Sequence, residues 1–402
     1  MAASNKDSAI ALDVLSSCWQ EQQHSINTAG GGCATIFGGV NSAVTDTKSR
    51  TASKIGTAVK AYRYQAMRHS GWLVASFISL LLTMPVYGQR YDKPSSSNTM
   101  GPARGPVVDP AKVALGKRLF SDSRLSFDDW NSCASCHEPS HGFSEGRPVS
   151  VGVLGRRGKR HTPTLLGRAS GESQFWDGRA LTLEEQVLQP ISDPNEMGTT
   201  VEAALQRLHQ DPVYRNLTRE SLAEALASYL RTIRSENSNY DLFLWGWTSA
   251  ITDQELEGLR LFQNKARCYL CHSGTRFSDE QFHNTGIAWR DSALQDEGRA
   301  GITGKSYHKG AFKTPTLRDV GRRGPYMHDG SLATLEDVIE YYNRGGNQNP
   351  YLDENIAPLN LTDAEKRSLL AFLRTGLAGK INDGVIERPM QSRNRPVTSA
   401  AR

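Results

Sequence analysis

No cysteine after Cys33 stands outside a Cys-x-x-Cys-His motif, so the main body of the chain has no thiol left over for a structural disulfide. Long apolar runs are equally scarce. The longest, Gly71 to Gly88, is broken by Ser76, Ser79, Thr83 and Pro85 and falls short of the roughly 18 to 20 clean apolar residues that a bilayer span needs. Charge of one sign is also weak: a formal +5 over 402 residues is too little for a nucleic-acid-binding surface, so no nucleic-acid partner is expected. Strand-like alternation of apolar and polar positions is sparse, which leaves helices and irregular loops.

The apolar run carries Arg68 and His69 in front and the small residue Gly88 at its end, the layout of a secretory signal peptide. Met67 stands just ahead of it, and the expected organisation follows. Residues 1–66 form an upstream extension without fixed structure, 67–88 the signal peptide, 89–107 a linker, and the basic stretch 380–402 a disordered tail. The expected location is the periplasm, with an uncleaved membrane anchor as the alternative.

What the chain does contain is Cys133, Cys136 and His137, then Cys268, Cys271 and His272. In Cys-x-x-Cys-His the thiols form thioethers with haem vinyl groups and the adjacent His is set to bind iron. A redox Cys-x-x-Cys or half a zinc site are the competing readings. Neither explains a His directly after both copies, or the 135 residues between them. The expected cofactors are two covalently bound haem c groups.

Self-comparison extends the duplication. "GKRLF" at Gly116 matches "GLRLF" at Gly258, "TPTL" at Thr162 returns at Thr314, and "FWDGRALTLEEQ" from Phe175 aligns with "MHDGSLATLEDV" from Met327 at the same offset of 152. "SYLRT" from Ser228 echoes "AFLRT" from Ala371. The pattern reads as a mostly α chain of two cytochrome c-like domains, 108–247 and 248–379, each with one haem. The copies differ where it matters: Tyr342 falls opposite Pro190, and His328 opposite Trp176. A helix that supplies an iron ligand at Tyr342 has no counterpart ligand in a proline, so one iron is expected to be closed and the other open.

These residues resemble the bacterial di-haem cytochrome c peroxidases, most closely their MauG-like branch. The resemblance runs from Val108 to Leu377 and rests on both haem motifs, "GRPVSVG", "QFWDGRALTLEEQVLQPISDPNEMG", "FHNTG", "FKTPTLRDV" and "PYMHDGSLATLEDVIEYYNRGG". It implies that the first haem, on His137, is the peroxide site and the second, on His272, the electron-transfer haem. Trp176 becomes the residue between the haems, Gln186 and Glu196 line the peroxide pocket, and Tyr342 binds the second iron. Family members that need reductive activation carry a blocking His at the position of Val153, and MauG carries a Trp at the position of Ala266. The family's calcium uses an Asn where this chain has His161, so calcium is left open. His141, His161, His283 and His308 read as satisfied loop histidines and not as ligands.

The expected activity is reduction of hydrogen peroxide to water, with electrons from a small donor protein (a cytochrome c or a cupredoxin) or a quinol. Glu196 would carry a proton from one peroxide oxygen to the other. A MauG-like oxidase that modifies a partner protein and a non-catalytic di-haem electron carrier are the alternatives. Ala266 weighs against the first, and Val153 with Pro190 against the second.

Overall fold

The computed structural model describes residues Val108–Gly384; the extension, signal-peptide and linker expectations, and the tail beyond residue 384, lie outside them. Two sets of helices enclose two hydrophobic cores. The first set comprises α1 (Pro110–Phe120), α2 (Leu183–Ser192), α3 (Val201–Leu208) and α4 (Arg219–Thr232), and the second α5 (Asp253–Gln263), α6 (Leu335–Asn343) and α7 (Asp363–Ala371). Their starts are written locally. Asp109 caps α1 ahead of Pro110, and α2, α4, α5, α6 and α7 each open on a threonine that forms a reciprocal capping box with the residue three positions on.

The repeated "G-x-R-L-F" has a steric reason. A Cβ on Gly116 would stand 1.9 Å from the Ala225 carbonyl oxygen of α4, and one on Gly258 would stand 2.1 Å from the Ser368 oxygen of α7. Only glycine lets the two helix backbones meet this closely. Above each crossing sits an aromatic trio: Phe120 with Phe143 and Tyr229, their ring centroids 6.4 and 5.1 Å away, and Phe262 with Phe277 and Phe372, at 5.9 and 5.5 Å. Gly116→Ala or Gly258→Ala should therefore cost about 1–3 kcal/mol of overpacking strain. A lowered denaturant midpoint in the haem-loaded protein is the readout.

Three expectations change. Short two-stranded antiparallel ribbons are present: β1 (Arg234–Glu236) with β6 (Lys380–Asn382), β2 (Phe282–His283) with β5 (Phe312–Lys313), and β3 (Trp289–Arg290) with β4 (Ala293–Leu294). The tail expected from residue 380 thus begins as a strand that returns to the first half, where Gly384 N also donates to Thr232 Oγ1 at 2.9 Å. The division at 247/248 moves earlier as well. Tyr240 lies against Phe277 and Phe372, and Arg318 bonds Asp241 at 2.6 Å, so the turn of helix Asn239–Leu244 belongs to the second core.

Candidate haem and peroxide site

Each Cys-x-x-Cys-His ends in the same hydrogen bond. His137 Nδ1 donates to the Phe143 carbonyl at 2.9 Å, and His272 Nδ1 to the Phe277 carbonyl at 3.0 Å. The carbonyl can only accept, so the tautomer is fixed with Nε2 as the bare nitrogen, the form that binds a metal. Both loops reach this geometry through a left-handed phenylalanine, with φ of 57° at Phe143 and 52° at Phe277. Burial holds both imidazoles down at about 4, so they stay neutral.

The repeated "TPTL" straps these loops. Ser144 and Ser278 hydroxyls donate to the carbonyls of Thr162 and Thr314 at 2.5 and 2.7 Å, while Thr164 and Thr316 hydroxyls donate back to Gly142 and Arg276 at 2.6 and 2.5 Å. A cavity of about 810 Å³ runs between the straps, lined by both motifs and by Trp176, Gln186, Pro190, Glu196 and Tyr342. All ten sequence-predicted site residues therefore meet on one cavity.

The residues fit haem. The four motif cysteines are unpaired, and burial pushes Cys133, Cys136 and Cys268 up to about 12, so these thiols are neutral sulfurs on the cavity wall. Arg323, also on that wall and 8% exposed, leaves its Nε without a hydrogen-bond partner among the described residues. A buried guanidinium with a spare donor suits a carboxylate such as a haem propionate. The repeat gave no hint of it, because its counterpart is Gly171.

The halves differ at matched positions. Thr182 caps α2 and bonds Glu185 as Thr334 caps α6 and bonds Asp337, so Pro190 and Tyr342 stand at the same point of equivalent helices. Burial pushes the Tyr342 phenol above its ordinary range. Trp176 and His328 are likewise matched, each preceded by a left-handed residue, and their rings meet edge to face at 6.5 Å. Trp176 Nε1 donates to the His161 carbonyl at 2.8 Å and His161 N to the His328 carbonyl at 2.7 Å. Phe312 stacks on His328 with centroids 3.6 Å apart. That partner was missed, although it lies two residues before the second "TPTL".

Glu196 projects from the turn after α2, pinned by Val153 N on its carbonyl at 2.9 Å. Burial, with the Asp193 charge behind it, lifts its carboxyl to about 7. Val153 itself is 1% exposed, abuts Gly198 and is not part of the cavity wall. His161 uses Nδ1 on the Arg147 carbonyl and Nε2 on the Ser144 hydroxyl, offering calcium no side-chain oxygen. His283 is held between Asp279 and Asp353 at 2.9 and 2.5 Å, satisfied as expected but on β2 and not in a loop.

Comparison with known proteins bears on the same residues. A family model described as di-haem cytochrome c peroxidase matches residues 110–249. The methylamine utilization protein MauG of Methylorubrum extorquens is 39% identical over 302 residues, covering 71% of this chain and 83% of that protein. Cytochrome c551 peroxidase of Nitrosomonas europaea is 33% identical, covering 62% and 78%. Among solved structures, a MauG-like protein associated with microbial copper homeostasis aligns with a TM-score of 0.63 and 31% identity over 72% of this chain and 96% of that one. The di-haem peroxidase BthA of Burkholderia thailandensis aligns at 0.59 and 27%, over 68% and 87%. With paired histidine loops on one cavity and relatives matched over most of their length, the chain belongs to the di-haem cytochrome c peroxidase family of oxidoreductases.

Proposed function

We propose that this protein is a periplasmic peroxidase of two duplicated units, each carrying one covalent haem c, that reduces hydrogen peroxide with electrons delivered through the second haem. The donor is a small cytochrome c, a cupredoxin or a quinol. One observation carries the reading: Pro190, with no donor atom, stands where the matched helix bears Tyr342.

Bound in this cavity, haem supplies a redox-active iron on each side and, at the first, the centre where peroxide is reduced. His137 and His272 would hold the two irons, their Nδ1–H bonds fixing ring orientation. Tyr342 would supply a second ligand on its side, where Pro190 has no atom to offer on the other. Glu196, as carboxylate, takes a proton from one peroxide oxygen and delivers it to the other, so that the departing oxygen leaves as water. Gln186, one turn before Pro190 on the cavity wall, orients the peroxide through its amide. Trp176, held at the seam by the His161 carbonyl, links the two sides.

The matched Tyr342 also suits a MauG-like oxidase. The buried Ala266, 4% exposed, offers no aromatic side chain through which a docked protein could be oxidised, and the peroxidase reading is preferred. Oxidised holoprotein, shown by intact mass to carry two haems, should give one high-spin and one low-spin ferric signal in electron paramagnetic resonance and react with peroxide without prior reduction. Two low-spin haems, inert until reduced, would overturn the open first iron and leave an activation-dependent peroxidase; no peroxide turnover even after reduction would defeat the peroxidase reading itself.

A further inference from the structure

A second cleft, of about 770 Å³, opens beside the haem cavity, and the two share Arg179, Pro190, Asp193 and Glu196 as a common wall. The outer cleft is lined by six carboxylates against the guanidiniums of Arg179 and Arg219. Asp193 and Glu196 are the only carboxylates on both sides of that wall among the described residues.

The turn that carries them is rigid. Asp193 N donates to the Gln189 carbonyl at 3.0 Å, and the Asp193 carbonyl accepts from Glu196 N at 3.1 Å and Gly198 N at 2.9 Å. Its Oδ1 accepts from Asn195 N at 2.8 Å, which fixes the side chain. From the other side Gly152 presses in so closely that a Cβ would meet the Asn195 carbonyl at 2.1 Å. Arg179 is occupied, stacked on Phe175 and bonded to Asp177 and Gln189.

We propose that this turn is the proton inlet of the peroxide site: Asp193, half-buried on the wall shared by the acidic cleft and the haem cavity, relays protons from solvent to Glu196. The inference rests on the peroxidase reading above. Its balance is H2O2 + 2 H+ + 2 e− → 2 H2O, with the electrons from the donor and both protons from solvent. Glu196 moves one peroxide proton internally and returns to carboxylate, so the two protons consumed on every turnover, which go to the remaining oxygen, must enter from outside, and Glu196 on the shared wall is the group placed to hand them in. The carboxylate lining favours cations and offers successive sites at which a proton can rest. The charges that face Glu196 are Asp193 on its own turn and Arg179 from the loop before α2, with the Cys133 and Cys136 thiols across the cavity. Asp193 is thus a positioning and relay residue, acting through Glu196.

Asp193→Asn keeps the Oδ1 acceptor and should fold. It should lower kcat several-fold, raise the solvent deuterium isotope effect on kcat, and move the acid limb of kcat/KM to lower pH because a negative charge beside Glu196 is gone; Asp193→Glu should restore all three. A shifted limb with unchanged kcat and isotope effect would make Asp193 a mere neighbour and overturn the relay. Infrared titration of the Glu196 carboxyl, assigned by its loss in Glu196→Gln, reads the coupling without turnover. Absent peroxidase activity would sink the peroxidase reading, and a Glu196 carboxyl that titrates unshifted in Asp193→Asn would sink this one.

Discussion

Glu196→Gln leaves both haem absorption spectra as they are and slows peroxide reduction by about two to four powers of ten, the range a positioned acid–base group supplies. The amide fills the same space on the turn pinned by Val153 but can neither take nor return a proton. Wild-type kcat/KM should also fall as the pH drops through about 7, the value at which the buried carboxyl protonates and ceases to be a base. The variant should lack that limb. Unaltered turnover, measured by stopped-flow peroxide consumption, would remove Glu196 from the chemistry.

Tyr342→Met raises the reduction potential of the second haem by a few tenths of a volt, within the roughly 0.8 V over which axial ligands move haem potentials. A phenolate favours the more positive metal, whereas a thioether favours the reduced one. The structure adds a proton to this account. Burial keeps the Tyr342 phenol protonated in the ligand-free cavity, so ligation must release a proton, and the wild-type potential should depend on pH where that of the variant does not. Spectroelectrochemistry over a pH series tests both statements. A potential that is the same in both proteins would mean that Tyr342 is packing and not a ligand.

The matched pair Pro190 and Tyr342 was legible because helix starts are local. "TLEE" and "TLED" write the same capping box, so a fixed offset in sequence became a fixed point on two helices. The glycine crossings and the threonine straps showed only as repeated letters, because their partners, such as Ala225 for Gly116 and Arg276 for Thr316, lie far along the chain. The direction of Val153 was not. The side chain is buried against Gly198 and off the cavity wall, which no residue count reveals. Nor was the packing of helix Asn239–Leu244 on the second core, since the Tyr240 ring reaches it from a polar stretch. Three-residue strands such as β1 and β6 carry too few positions to show a period of two, and their pairing joins residues far apart in the chain.

That pairing has a consequence for how the molecule is made. A chain that emerges N-terminus first presents α1 and α4 long before residues 380–382 exist, so the first core must close without its edge strand, and the Arg234↔Asn382 register can form only after both haem motifs have been made. Residues 380–382 thus act as a late seal on the first half. Until they arrive β1 shows an open edge, and it is in this interval that the newborn chain is most exposed to proteolysis and to pairing with another copy.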